Sequence, residues 1–112
     1  MPKEKPACST CVVSLLELYG YIKKIRRYVV DKDWKGVEQS IDYASSEFRR
    51  LDDEGCLYYV ERNEMADYFK KLRDAVKNRD PLEAYHFVVN MDYLTFEIAK
   101  RLFKEKLCEC SL

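Results

Sequence analysis

The chain of 112 residues carries 20 basic and 20 acidic residues, so its formal net charge is zero, and 47% of its residues are hydrophobic. This length suits one domain with a single core, and the apolar content is too high for a disordered chain. A general nucleic-acid binder usually has an excess of Lys and Arg that neutralises phosphates, so we do not expect nucleic acid as a partner. The basic run Lys23, Lys24, Arg26 and Arg27 is interpreted as a solvated helix face.

The lack of a recognisable membrane span or secretion signal predicts a cytoplasmic protein. No segment has the roughly 18 consecutive apolar residues that a membrane span requires, and the initial segment MPKEKPA lacks the apolar centre of a secretion signal. The chain has one Gln and three Asn beside many Lys and Glu, a depletion typical of proteins from organisms that grow at high temperature. Intracellular disulfides are common in such organisms.

The first predicted element follows a short leader. Prolines and charges predict that residues 1–7 are flexible and that residues 8–112 form a single domain. From Ser9 onward, apolar residues recur at steps of three and four as far as Val29, which predicts a helix. The helix is interrupted at Asp31-Lys32-Asp33, where an aspartate can cap the next helix.

The second and third helices differ in how clearly they are patterned. The second is expected to end before Gly55, which suits the left-handed conformation common after a helix. Its regular apolar stripe consists of Trp34, Val37, Ile41, Ala44, Phe48 and Leu51. The third is predicted over about residues 57–78. Charged and polar residues in its first turns leave open whether residues 57–64 form a separate short helix.

The fourth helix is expected to begin at Asp80-Pro81 and to reach about Lys106, because aspartate caps a helix and proline suits its first position. Its apolar residues fill an arc of roughly 200° on a helical wheel: Leu82, Tyr85, Val88, Val89, Met91, Phe96, Ile98, Ala99, Leu102 and Phe103. One neighbouring helix cannot cover so wide an arc. We expect this helix to pack against two others or to form a subunit contact as well.

Four helices with short connections predict an all-α protein, a four-helix antiparallel bundle with up-down-up-down order and both termini at one end. A faint internal repeat has an offset of 47 residues: Ile22-Lys-Lys-Ile-Arg26 with Val29 and Asp33 aligns with Phe69-Lys-Lys-Leu-Arg73 with Val76 and Asp80. Two related helical hairpins and chance convergence of amphipathic helices both explain this repeat.

The terminal cysteines are the first candidate site. Because both termini are expected at one end of the bundle, Cys8 or Cys11 is predicted to form a disulfide with Cys108 or Cys110, which would stabilise the fold by about 4 to 5 kcal/mol. The alternatives are free thiols in frayed chain ends, a four-thiolate metal site and a thiol-redox site, although the one-residue gap in Cys108-Glu-Cys110 is unusual for zinc. Cys56 is interpreted as a half-buried apolar residue.

The single histidine is the second candidate. Glu83-Ala-Tyr-His86 has the E-x-x-H spacing of di-iron bundles, but those need two such pairs and further inward carboxylates. The preferred interpretation of His86 is a solvated side chain, and no cofactor is expected.

Arg79 and His86 together offer a catalytic alternative. The segment Arg79-Asp80, five further residues and His86 resembles the R-x(4-6)-H motif of the HEPN helical-bundle ribonucleases, although Pro81 interrupts it. The resemblance implies a metal-independent ribonuclease in which Arg79 stabilises phosphate charge and His86 acts in acid-base cleavage.

The preferred function is not enzymatic. The chain has nine tyrosines, a residue type enriched at protein interfaces, and no complete catalytic set. Together with the wide apolar arc of the fourth helix, these features predict an interaction or assembly protein that forms a homodimer or binds another protein through that helix.

Overall fold

A computed structural model describes the backbone of residues 8–104 and the side chains of residues 10–104. These residues form four helices and no strand: α1 Cys8–Val30, α2 Trp34–Asp53, α3 Tyr59–Lys77 and α4 Pro81–Lys104. The leader predicted for residues 1–7 lies outside the described residues. The third helix begins at Tyr59 and is continuous, so residues 59–64 are its first turns and not a separate helix.

The helices form the predicted four-helix bundle. Each helix packs against its two neighbours in the ring α1, α2, α3, α4, and α2 with α3 is the most loosely packed pair. Every helix contributes residues to one core of buried aliphatic side chains, whose burial is the main favourable term in folding. Within the described residues no helix is both long and apolar enough to cross a membrane.

Aspartates start two of the helices, as the sequence predicts. The Asp33 carboxylate accepts a hydrogen bond from the Gly36 amide at 3.1 Å, and the Asp80 carboxylate accepts one from the Glu83 amide at 3.1 Å. Each bond satisfies an amide that has no partner inside its own helix. The left-handed conformation predicted for Gly55 is confirmed, with φ of 76°.

The turn of the first hairpin repeats in the second with an offset of 47 residues. In the α1–α2 turn the Asp33 amide donates to Tyr28 O and the Lys32 amide to Val29 O. In the α3–α4 turn the amides of the residues 47 positions later, Asp80 and Arg79, donate to the carbonyls at 75 and 76. Lys32 and Arg79 also share a left-handed backbone, with φ of 58° and 53°. The chain therefore contains two hairpins of the same local design, and residues 47 positions apart are called counterparts below.

The two hairpins are joined by a covalent bond that the sequence analysis did not predict. Cys11 on α1 and Cys56 in the α2–α3 loop form a disulfide, and both residues are buried. The interpretation of Cys56 as a half-buried apolar residue is therefore wrong, and so is the pairing of Cys11 with Cys108 or Cys110. The side chains of Cys8, Cys108 and Cys110 lie outside the described residues.

The first turn of α3, directly after this loop, is held to α4 by a half-buried ion pair. Glu61 accepts two hydrogen bonds of 2.6 Å from the Arg101 guanidinium, and both side chains are at most 15% exposed. Arg101 also donates to Cys56 O at 2.8 Å, and its guanidinium carbon lies 3.9 Å from the centre of the Tyr58 ring. Bidentate pairing of this kind is among the stronger polar contacts. The loop that carries the disulfide is thus connected to α1 and α4 at once.

We expect removal of the disulfide to destabilise the protein. Cys11 and Cys56 are 45 residues apart. In the chain-entropy model, closing a loop of that size lowers the entropy of the unfolded chain and so stabilises the folded state by about 4 kcal/mol. A Cys11→Ala, Cys56→Ala variant should lose about this much free energy of unfolding in denaturant titrations. Reductant should destabilise the wild type and leave the variant unchanged; an equal effect of reductant on both would contradict the assignment.

We also expect the Arg101–Glu61 pair to be strongly coupled. Arg101→Met leaves a half-buried carboxylate without its partner and should cost about 3 kcal/mol of unfolding free energy. The additional change Glu61→Gln should then cost less than it does in the wild type, as a double-mutant cycle would measure. Lys71→Met, which removes the exposed ion pair with Asp67, is the control and should change stability by less than about 1 kcal/mol.

Candidate functional site

The fourth helix has two apolar faces. One is buried in the bundle core and comprises Ala84, Val88, Met91, Leu94, Ile98 and Leu102. On the opposite side, exposed residues follow one another at steps of four and three along the whole helix: Leu82, His86, Val89, Tyr93, Phe96, Lys100 and Phe103. This second set is called the outer stripe.

Four large apolar side chains of the outer stripe lie seven residues apart in the sequence, at positions 82, 89, 96 and 103. Leu82 is 80% exposed, Phe96 57% and Phe103 64%, with Val89 at 39% between them. Tyr93, at 65%, continues this surface near the middle of the helix. Single exposed apolar residues are ordinary, but five of them along one face of a helix are characteristic of an interaction surface.

A groove between α1 and α4 widens this surface. It has a volume of about 530 Å³, and its lining includes Leu16 and Tyr19 of α1 with Val89, Phe96 and Ala99 of α4. Leu16 is 61% exposed. The apolar surface therefore extends from the outer stripe across to α1.

The internal repeat shows that this apolar surface is not required by the fold. The outer-stripe residues from 82 to 100 have polar counterparts on α2, 47 positions earlier, all of them exposed: Lys35, Gln39, Asp42, Ser46, Arg49 and Asp53. Both helices occupy the second position of a hairpin with the same turn. Polar residues therefore suffice at these positions for helix packing, and α4 carries apolar ones for another reason.

The groove on the other side of the bundle supports the same conclusion. Between α2 and α3 a groove of about 460 Å³ is lined partly by the counterparts of α1/α4 groove residues. There, Arg49 stands where α4 has Phe96. Asp52 and Arg62, the counterparts of Ala99 and Leu15, form an ion pair of 3.0 Å. The two grooves thus lie at equivalent places in the repeat, and the α2/α3 groove has charged side chains at the counterparts of Phe96, Ala99 and Leu15.

Charged residues beside the outer stripe are of both signs. Asp92 pairs with Arg26 at 3.1 Å, and Lys100 pairs with Glu97 at 3.3 Å while its ammonium lies over the Phe96 ring. A hydrogen bond with Tyr85 raises the pKa of Arg26 above its usual value. Part of the basic run of α1 is thus engaged with tyrosines and Asp92, consistent with its interpretation as a helix face.

Arg79 and His86 make separate contacts. Arg79 donates hydrogen bonds to Val76 O at 2.8 Å and to the Glu38 carboxylate at 3.3 Å, and its guanidinium lies over the Trp34 ring. His86 is exposed; the side-chain Nδ2 of Asn90 donates to His86 O at 3.0 Å and lies 3.3 Å from His86 Nε2. Among residues 10–104 no hydrogen bond or ion pair joins Arg79 to His86. The ribonuclease hypothesis stays a prediction without added support.

The cysteine alternatives are changed by the disulfide. Because the Cys11 sulfur is bonded to Cys56, it is not a thiolate that could bind a metal with Cys8, Cys108 and Cys110. The part of the chain that the structure describes contains no group of three or more His, Cys, Asp or Glu side chains placed to hold a metal ion.

Two residues of the candidate surface were missed from the sequence. The apolar patterns predicted from the sequence include neither Tyr93 nor Leu16. The signal for Tyr93 is the alternation of steps of four and three from Leu82 to Phe103, in which Tyr93 lies between Val89 and Phe96. Leu16 has no such signal, because only the packing of α1 against α4 brings it to the groove.

Comparisons with known proteins give no relative: no family model matches the chain, and no curated protein or solved structure is significantly similar to it.

We expect substitutions at Arg79 and its counterpart Lys32 to show that Arg79 has a structural role. The left-handed backbone conformation costs a residue other than glycine about 1 kcal/mol. Lys32→Gly removes this cost and should raise the free energy of unfolding by about that amount. Arg79→Gly should gain less, because it also loses the contacts with Glu38 and Trp34. Equal gains in denaturant titrations would contradict this role, and His86→Ala should change stability by less than about 0.5 kcal/mol.

Proposed function

We propose that the protein is a non-enzymatic assembly module that forms a homodimer through the outer stripe of α4 and the adjacent α1/α4 groove. The observation that carries the proposal is the difference between counterpart helices. In the same fold position, α2 exposes polar residues and α4 exposes Leu82, Val89, Tyr93 and Phe96. Burial of that surface against a partner is favourable, and the bundle alone leaves it in water.

The size of the surface suits a dimer. Taking about 200 Å² for a fully exposed aromatic side chain, the apolar residues of the outer stripe with Leu16 present on the order of 600 Å². A standard protein interface buries about 800 Å² on each partner, of which somewhat more than half is apolar. The outer stripe therefore supplies the apolar part of an interface of ordinary size, and the polar residues beside it supply the rim.

A second copy of this chain is the partner that the charges favour. A surface bordered by charges of one sign selects a partner of the opposite sign. Here acidic Glu83, Asp92 and Glu97 and basic Lys104 border the stripe, and basic Lys100 lies within it. Such a surface is complementary to itself when two copies meet around a two-fold axis.

We expect exchange of two stripe residues for their α2 counterparts to give a folded monomer. The double variant Tyr93→Ser, Phe96→Arg gives α4 the residue types that α2 has at the counterpart positions, Ser46 and Arg49. The dimer should weaken by about a hundredfold or more, because each aromatic anchor at an interface contributes about 2 kcal/mol or more. Sedimentation equilibrium over a wide range of concentrations measures the dissociation constant, and circular dichroism checks the helical content.

The matched control is Lys35→Ser, Gln39→Arg on α2, which introduces the same residue types at the counterparts of Leu82 and His86. This variant should dimerise like the wild type. A wild-type protein that sediments as a monomer at every concentration would refute the proposed function, and so would a dimer unaffected by the α4 exchange.

A cytoplasmic location and an origin in an organism adapted to high temperature are part of the same proposal. They rest on the composition and on the initial segment of the chain.

A further inference from the structure

We propose that the two copies pair their α4 helices in antiparallel orientation, with Glu83 of each copy beside Lys104 of the other. This inference rests on the proposed homodimer and adds the geometry of its interface. Its basis is that the outer stripe has the seven-residue period of a coiled-coil seam. Each of its apolar residues at 82, 89, 96 and 103 lies one heptad from the next.

The heptad assigns a place to every residue beside the stripe. With Leu82, Val89, Phe96 and Phe103 in the d position, His86, Tyr93 and Lys100 take the a position. The flanking e positions are Glu83, Asn90, Glu97 and Lys104, and the flanking g positions within the described helix are Tyr85, Asp92 and Ala99. The g side faces the groove with α1, whose lining includes Asp92 and Ala99, and the e side faces away from it.

Antiparallel pairing places opposite charges together. In that orientation e positions lie opposite e positions of the partner helix, so Glu83 meets Lys104 of the second copy and the two-fold axis creates this pair twice. Asn90 meets Glu97 of the second copy, an amide donor beside a carboxylate. Both Glu83 and Lys104 are exposed, and neither forms an ion pair within the described residues.

Parallel pairing places like charges together. In that orientation each g position lies beside the e position five residues further along the partner helix. Asp92 then lies beside Glu97 of the second copy, again twice, and no pair of opposite charges compensates for it. Tyr85 and Ala99 meet Asn90 and Lys104, which adds no ion pair. The charge pattern therefore selects the antiparallel orientation.

Two complementary charge reversals test the orientation. Glu83→Lys and Lys104→Glu should each raise the dimer dissociation constant about tenfold, because each replaces two attractive contacts with two repulsive ones. An equimolar mixture of the two variants should dimerise at least as tightly as the wild type, since a heterodimer then pairs Lys with Glu at both ends. The double variant in one chain should recover wild-type affinity for the same reason.

The recovery is specific to the antiparallel dimer. Glu83 and Lys104 are 21 residues apart in one helix, so in a parallel dimer about 31 Å would separate them at 1.5 Å per residue. Asp74→Lys and Lys35→Glu, exposed changes of the same charge on α3 and α2, are the controls and should leave the dissociation constant unchanged. Thermal unfolding of each variant at low concentration checks that the fold is kept.

The outcomes separate this inference from the proposed function. Single variants that dimerise normally, or that weaken the dimer without recovery in the mixture, overturn the antiparallel pairing; loss of the dimer in Tyr93→Ser, Phe96→Arg would then still support the homodimer. A wild-type chain that is monomeric throughout overturns both. Weakening by each single variant with recovery in the mixture and in the double variant supports the antiparallel pairing.

Discussion

The α2–α3 loop is the point on which the bundle depends, because it joins two hairpins that are otherwise built alike. The Cys11–Cys56 disulfide attaches this loop to α1. Arg101 of α4 donates to Cys56 O in the loop and pairs with Glu61 in the first turn of α3. Ser14 adds a hydrogen bond from α1 to Glu54 at 3.2 Å. The helices on either side of the loop, α2 and α3, are the most loosely packed neighbours in the bundle. The contacts of the loop with α1 and α4 therefore hold both helix ends in place.

The repeat also provides a comparison inside one molecule. Asp33 and Asp80 cap their helices with the same hydrogen bond, and Lys32 and Arg79 adopt the same left-handed conformation. Since the turns and caps are the same, differences between counterpart surfaces do not arise from the local backbone of the two hairpins. The difference between the polar stripe of α2 and the apolar stripe of α4 is the basis of the proposed homodimer, and the charges beside the stripe are the basis of its proposed orientation.

Much of the candidate surface could be inferred from the sequence, and part could not. The apolar arc of the fourth helix, too wide for one neighbour, indicated either two neighbours or a subunit contact. In the structure α4 packs on both α1 and α3 and still leaves Leu82 and Phe103 largely exposed. A helical wheel shows how wide an apolar face is, but the fraction that neighbours cover depends on where they cross it. That is also why Leu16 joined the surface only once α1 and α4 were in place.

The amino-acid sequence by itself determined the helices, their caps and the bundle, because periodicity, aspartate caps and glycine at a helix end act through neighbours in the chain. Tertiary structure alone decided which cysteine Cys11 meets. Pairing needs two sulfurs at bonding distance, and the expected return of both termini to one end favoured Cys108 and Cys110. The α2–α3 loop lies at that end as well, and its turn at Gly55 places Cys56 against α1. Proximity between segments 45 residues apart depends on how helices pack, which no local pattern encodes.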